Sequence, residues 1–130
     1  MINRSYVFRA DGNAHIGSGH LMRSLTIAEA LADTQENSKN IMLLCADKKS
    51  AELVEKRGFP VRVLHTDYRH MESELFGWRQ MFSPGDADNG WCAGRVILVD
   101  SYYMTEDYLR ELTAFGRILV LDDLQQKAFP

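Results

Sequence analysis

The chain has 130 residues, of which 45% are hydrophobic and 25% are charged, and its formal net charge is −3. This composition is typical of a globular domain with its own core, and we expect one domain over residues 1–130. The slight negative charge and the lack of a basic block argue against nucleic acid as a partner. No apolar run approaches the ~20 residues that cross a bilayer, and the first residues do not form a signal peptide. With only two cysteines, the chain is expected to be cytoplasmic.

Five short apolar runs predict strands, at residues 6–9, 41–45, 61–64, 96–99 and 118–121. The second, fourth and fifth runs are continuous rather than alternating, which is typical of strands buried on both faces of a parallel sheet. Helical patterns lie between the runs, at residues 20–32, 50–57, 71–82 and 105–115. Thr105 is placed to cap the fourth helix, and Gly58 and Gly116 follow two of the helices as terminators. The alternation predicts an α/β fold with a Rossmann-like parallel sheet and helices on both faces.

Polar residues follow the ends of these strands, where ligands bind in open α/β sheets. They are Asp11 to His20 after the first strand, Asp47 after the second, Asp100, Ser101, Tyr102 and Tyr103 after the fourth, and Asp122 and Asp123 after the fifth. If the sheet is parallel, these residues gather at one edge. Asp100 and Asp123 would either contact a ligand or satisfy backbone N–H groups at the strand ends. Tyr102 would either stack on a sugar or pack against the next helix.

The loop from Asp11 to Gly19 is polar and glycine-rich, and it leads from a strand into a helix. Gly17 and Gly19 would let the backbone approach a ligand closely, and the start of the helix offers N–H groups to a phosphate. The loop lacks the third glycine of a dinucleotide fingerprint, because Met22 stands there, and it lacks the Gly-Lys-Ser/Thr of a Walker A motif. The pattern therefore predicts a ligand loop without naming the ligand.

His20 begins the predicted helix, and Arg23 follows about one turn later. The imidazole can exchange protons near neutral pH, and the guanidinium can hold an anion or a carboxylate. The alternative is that His20 caps the helix and Arg23 is a surface charge. Asp11 would orient His20 or bind a sugar hydroxyl, or else it would cap the loop. His15 lies five residues before His20, but no Cys, Asp or Glu completes a recognised metal-ligand spacing, so we expect no metal or other cofactor.

Two motifs near the start of the chain resemble the signature of a nucleotide-sugar hydrolase family. They are R-x-D, ending at Asp11, and I-G-x-G-H-x-x-R, over residues 16–23. Two later segments fit the same family in the expected order, Val-Asp-Ser-Tyr at 99–102 and Leu-Asp-Asp-Leu at 121–124. The family is the UDP-2,4-diacetamido-2,4,6-trideoxy-β-L-altropyranose hydrolases of pseudaminic acid biosynthesis, with relatives named as spore coat polysaccharide biosynthesis proteins.

The resemblance implies a GT-B-like enzyme of two Rossmann-like domains, of which this chain would be the N-terminal half. Family members hydrolyse the anomeric C–O bond of a UDP-linked diacetamido-trideoxy sugar, release UDP and invert the sugar's configuration without a metal. The resemblance also implies that His20 is the general base on the attacking water and that Asp11 helps to position the sugar or the histidine. The chain departs from the family at Ser101, where histidine is frequent, and it ends where the second, UDP-binding domain would begin.

The site predicted from the sequence has one catalytic residue, His20, and a set of residues that contact the UDP-sugar substrate. That set is Asp11, Gly17, Gly19, Arg23, Asp100, Tyr102 and Asp123. The alternatives are a glycosyltransferase-like protein of spore-coat or surface polysaccharide synthesis and a truncated, non-catalytic module. If an apolar face is exposed where the second domain would dock, a missing C-terminal domain or a second copy of the chain would cover it. We expect the isolated chain to turn over little or no substrate.

Overall fold

A computed structural model of the chain describes residues 5–12, 19–33, 40–82, 94–101 and 103–121. Within these residues five strands form one sheet: β1 Ser5–Ala10, β2 Ile41–Cys45, β3 Val61–Val63, β4 Arg95–Asp100 and β5 Arg117–Val120. The helices are α1 Gly19–Ala32, α2 Lys48–Lys56, α3 Leu75–Met81 and α4 Glu106–Leu112, and a 3₁₀ turn, Met71–Glu74, leads into α3. The predicted alternation of strand and helix is confirmed, and the fold is Rossmann-like.

The strands lie in the order β3-β2-β1-β4-β5, and every neighbouring pair is parallel. β1 is central, with Tyr6 opposite Ile41 of β2 and opposite Val96 of β4. From β1 the chain moves outward through β2 to β3, and it then returns to the other side of β1 for β4 and β5. The carboxyl ends of β1 and β4 therefore flank the point where the direction of winding reverses, which is the usual ligand crevice of such sheets.

Alternate residues of the central strands divide the core between the two faces of the sheet. The face toward α1 and α2 includes Phe8, Leu21, Leu25, Val54 and Leu98. The opposite face, toward α3 and α4, includes Val7, Trp78, Val99, Tyr108 and Leu112. Helices therefore pack on both faces, as predicted. The same alternation places Asp100 on the face of Leu98, toward α1.

Local signals in the sequence determine where the helices begin and end. Asp47 caps α2 by accepting a hydrogen bond from the Ser50 N–H at 2.8 Å, so the helix begins earlier than the apolar pattern predicted. Thr105 caps α4 as predicted, accepting from the Tyr108 N–H at 3.1 Å. Gly58 follows α2 with a φ of 84°, a left-handed conformation that glycine adopts without strain.

The fifth strand corrects one prediction. Its continuous apolar run predicted burial on both faces, but β5 lies at the edge of the described sheet and its residues alternate between exposed and half-buried. Leu119 is 49% exposed. The prediction was wrong because an apolar run reports the chemistry of the strand itself, whereas burial depends on what packs beside it.

Candidate functional site

The end of β4 holds a buried carboxylate between two side chains of α1. Asp100 is the last residue of β4 and is 0% exposed. His20 lies in the first turn of α1, and its Nδ1 is in hydrogen-bond contact with Asp100 Oδ1. Arg23 donates from Nε to Asp100 Oδ2 at 2.8 Å and from Nη2 to Oδ1 at 2.6 Å. One carboxylate therefore joins His20 and Arg23, both predicted site residues, to the central part of the sheet.

The contact with Asp100 defines which nitrogen of the His20 ring carries the proton. A carboxylate only accepts hydrogen bonds, so a neutral imidazole in this position carries its proton on Nδ1. Nε2 then has the lone pair, which is the arrangement of a general base. Arg23 binds the same carboxylate with two parallel hydrogen bonds, and this paired contact fixes the orientation of the carboxylate group. Asp100 thus gives His20 both its orientation and its tautomer.

The sequence of α1 explains why these side chains meet the end of β4. His20 and Arg23 are three residues apart, so they are neighbours on the helix surface. Leu21 and Leu25 are fully buried against the sheet, which fixes the first turns of α1 over the strands. The apolar residues of the helical pattern predicted at 20–32 therefore also position the polar residues of α1.

Asp11, at the end of β1, is engaged by the protein through both of its carboxylate oxygens. Oδ2 accepts from Arg9 Nη1 at 2.8 Å, and Oδ1 accepts from the backbone N–H of Ala46 at 2.7 Å. Asp11 therefore links the ends of β1 and β2. Of the aspartates that the sequence placed near His20, the one in contact with its Nδ1 is Asp100.

A buried network of charges lies beneath this edge, on the α3 side of the sheet. Arg9 is fully buried and donates from Nε and Nη2 to the two oxygens of Glu74, each at 2.8 Å. Glu74 also accepts from the Tyr108 hydroxyl and from Trp78 Nε1, the latter at 3.2 Å. Burial lowers the pKa of Arg9, but the charges of Glu74 and Asp11 outweigh burial and raise that pKa well above its ordinary value. Burial first, and Glu74 second, raise the pKa of Tyr108.

Sequence reasoning missed Glu74 as the partner of Arg9. A signal for some partner was present, because Arg9 lies inside a predicted strand and a buried guanidinium requires a carboxylate. The sequence offers 18 Asp and Glu residues, however, and Glu74 lies 65 positions further along the chain. Only the folded topology selects it.

Of the remaining residues predicted for the site, the structure describes Gly19. Gly19 begins α1, and a Cβ built there would meet no described atom within 4 Å. Packing against the described residues therefore does not require a glycine at this position. Gly17, Tyr102 and Asp123 lie outside the described residues.

Cys45, at the end of β2, is fully buried. Burial, with a smaller contribution from the charge of Asp11, raises the pKa of the Cys45 thiol to about 12. Nucleophilic catalysis needs the thiolate, and this thiol stays protonated at ordinary pH. Cys45 is therefore not suited to act as a nucleophile.

The fold and the site together define a class: a Rossmann-like α/β protein with a buried Asp–His pair at the reversal point of its sheet. Comparisons of the chain with protein-family models, curated proteins and solved structures give no match. Among the described residues, no group of three or more His, Cys, Asp or Glu side chains is placed to hold a metal ion. The same part of the chain contains no helix that is long and apolar enough to cross a membrane.

Proposed function

We propose that the chain is the sugar-binding half of an inverting nucleotide-sugar hydrolase in which His20 is the general base. The observation that carries the proposal is the buried carboxylate of Asp100 against Nδ1 of His20, at the reversal point of the sheet. An imidazole oriented in this way by a carboxylate is suited to accept a proton. The resemblance of residues 16–23 to the I-G-x-G-H-x-x-R motif supplies the substrate class, a UDP-linked diacetamido-trideoxy sugar.

The proposed reaction replaces UDP with water at the anomeric carbon of the sugar. Nε2 of His20 takes a proton from water while the water oxygen forms a bond to the anomeric carbon, on the side opposite UDP. The anomeric C–O bond breaks, UDP leaves with the bonding electrons, and the configuration at that carbon inverts. Asp100 stabilises the imidazolium that forms on His20.

Arg23 is a positioning residue in this mechanism. Its two hydrogen bonds hold the Asp100 carboxylate, and a third contact, from Nη2 to the Leu121 carbonyl at 3.4 Å, joins it to the chain after β5. The Arg23 side chain is 30% exposed, so part of it is accessible to a substrate. Lysine would not reproduce the paired contact, since it has a single charged nitrogen.

We further propose a GT-B-like arrangement, in which a second Rossmann-like domain supplies most of the UDP site. The ends of β1, β2 and β4 carry the carboxylates of Asp11, Asp47 and Asp100. Asp11 and Asp100 are buried and each is paired with an arginine, so they shape the floor of this edge. The proposed arrangement is supported by the resemblance of residues 16–23 to the family motif.

Oxygen labelling tests the reaction type. The full-length protein is incubated with the UDP-linked 2,4-diacetamido-2,4,6-trideoxy sugar in water enriched in ¹⁸O. Attack at the anomeric carbon places the label in the sugar and none in UDP, and proton NMR of the first-formed sugar then shows the inverted anomer. Label in UDP would mean attack at phosphorus, and the absence of any turnover would refute a hydrolase.

A further inference from the structure

The carboxylate of Asp100 is shared by an imidazole and a guanidinium. Its Oδ1 atom contacts Nδ1 of His20 and also accepts from Nη2 of Arg23 at 2.6 Å, while its Oδ2 atom accepts from Nε of Arg23 at 2.8 Å. Asp100 and His20 are both buried. Water therefore screens their contact only weakly, and the charge on any one of the three side chains affects the other two.

A buried carboxylate against Nδ1 has two opposing effects on a histidine that acts as a general base. It orients the ring and leaves the lone pair on Nε2, which proton uptake requires. It also favours the imidazolium, because an opposite charge in contact stabilises the protonated form. A histidine that is already protonated has no lone pair on Nε2 and does not activate water. Asp100 alone would therefore orient His20 and also hold a proton on it up to a higher pH.

The guanidinium of Arg23 has the opposite effect on the charge of His20. Arginine is protonated at every pH at which proteins are folded, so Arg23 adds a fixed positive charge to the carboxylate that His20 contacts. Asp100 and Arg23 together have no net charge, and a proton on His20 then adds an unbalanced positive charge beside the guanidinium. Without Arg23, the same proton would neutralise Asp100. Arg23 therefore disfavours the imidazolium while the contact at Nδ1 remains.

The ionisable groups at the neighbouring strand ends have partners or are neutral. β1 is followed by Asp11, whose carboxylate is paired with Arg9 at 2.8 Å. β2 ends at Cys45, and burial raises the pKa of its thiol to about 12, so it carries no charge at ordinary pH. Asp47, before α2, accepts from the Ser50 N–H at 2.8 Å. The positive charge that acts on His20 through Asp100 is therefore that of Arg23.

We propose that the charge of Arg23 sets the pH range in which His20 works as the base. Arg23 is a positioning residue that acts through Asp100, and it keeps Nε2 free of a proton to a lower pH than an Asp–His pair alone would allow. The assignment deepens the function proposed above and rests on it for the role of His20 in the reaction. The effect of Arg23 on proton uptake is a property of the folded chain and needs no substrate.

Titration of the His20 imidazole, followed by ring-proton NMR signals of the 130-residue chain, tests the proposal directly. The His20 signal is assigned by its absence in His20→Gln. Arg23→Gln removes the charge, and the titration midpoint should then lie roughly 1–2 pH units higher than in the unmodified chain. Arg23→Lys keeps the charge and loses the paired contact, so its midpoint should move less. An unmoved midpoint in Arg23→Gln, or equal shifts in the two variants, would overturn the proposal.

Asp100→Asn should move the titration midpoint of His20 in the opposite direction. The asparagine removes the carboxylate that favours the imidazolium, and the positive charge of Arg23 remains, so His20 should take up its proton at a lower pH. This variant also keeps the proposal testable if Arg23→Gln does not fold. A midpoint that rises or stays the same in Asp100→Asn would contradict the coupling of the three side chains.

Arg57→Gln is the matched control, because it removes one positive charge from an exposed site. Arg57 pairs with Glu29 at 2.7 Å, and Glu29 lies nine residues after His20, about 14 Å along α1. At 0.1 M salt, exposed charges are largely screened beyond ~10 Å, so the midpoint of His20 should stay in place. A shift as large as that in Arg23→Gln would mean that the net charge of the chain, and not the contact with Asp100, sets the midpoint.

The pH dependence of UDP release by the full-length protein extends the test to the reaction. Below the midpoint only the unprotonated fraction of His20 is active, so the rate falls roughly tenfold for each pH unit. The acid limb of the profile should move upward in Arg23→Gln by the same amount as the NMR midpoint, whatever uniform loss of rate accompanies it. If hydrolysis depends on His20 and this limb does not move, only the role of Arg23 is lost. If the midpoints move as expected and no UDP is released, only the proposed function is lost.

Discussion

At the scale of single residues, the buried pair of Arg9 and Glu74 connects the centre of the sheet to the helices on its α3 side. Moving a charge from water into the interior costs several kcal/mol, and contact between opposite charges offsets this only when the remaining polar atoms are also satisfied. Arg9 donates hydrogen bonds to Asp11 as well as to Glu74. The Tyr108 hydroxyl and Trp78 Nε1 also donate hydrogen bonds to Glu74. The network therefore stabilises the fold only when it is complete.

We predict that Glu74→Gln destabilises the protein strongly. The neutral amide leaves Arg9 buried beside a group that no longer balances its charge, and breaking a buried pair in this way costs about 3–5 kcal/mol. Glu29→Gln is the matched control, because its partner Arg57 lies at 2.7 Å but both side chains are more than a third exposed. Exposed pairs contribute about 1 kcal/mol or less. Urea unfolding of the two variants measures the difference, and equal losses would contradict the buried network.

At the scale of elements, the connection from α4 to β5 depends on close backbone contact. Gly116 lies between these elements, and a Cβ built there would be 2.7 Å from the carbonyl oxygen of Arg95 in β4. Arg95 also donates from Nη1 to the Phe115 carbonyl at 2.9 Å, so this segment is held against the start of β4. The glycine predicted as a helix terminator is therefore also a packing requirement between a helix connection and the sheet.

The variant Gly116→Ala should lower the free energy of unfolding by about 1–3 kcal/mol, because the methyl group must displace backbone atoms. Gly19→Ala, at the start of α1, should leave stability unchanged or raise it by at most about 1 kcal/mol, since its Cβ meets no described atom and alanine favours helix. Thermal or urea unfolding measures both variants. A Gly116→Ala protein as stable as the unmodified chain would contradict the close approach of residue 116 to the Arg95 carbonyl.

At the scale of the whole molecule, the strand order brings together side chains that are distant in sequence. The apolar runs predicted every strand of the described residues, and the rule that ligands bind at the ends of parallel strands predicted His20 and Asp100 as site residues. Arg23 followed from its spacing to His20 on the helix. The pairing of β1 with β4 is not visible in either strand alone, because neither pattern names its neighbour. The contact of His20 with Asp100 spans 80 positions and needed that pairing.

Other features depended on tertiary packing, and the sequence pattern did not contain them. The exposure of β5 follows from its place at the edge of the described sheet, and the choice of Glu74 follows from the position of the 3₁₀ turn against β1. The role of Asp47 as a helix cap was accessible from the sequence, since aspartate is a preferred capping residue, but the apolar periodicity of α2 begins after it.

The rate of UDP release by His20→Gln, compared with the unmodified full-length protein, tests the central claim most directly. Loss of the general base should reduce the rate by about 10²–10⁴-fold, while the folded structure is retained. Ser24→Ala, one turn further along α1, is the control, because the buried Ser24 hydroxyl has no hydrogen-bond partner among the described residues and its removal should leave the rate unchanged. A His20→Gln protein that releases UDP at the unmodified rate would contradict the assignment of His20 as the base.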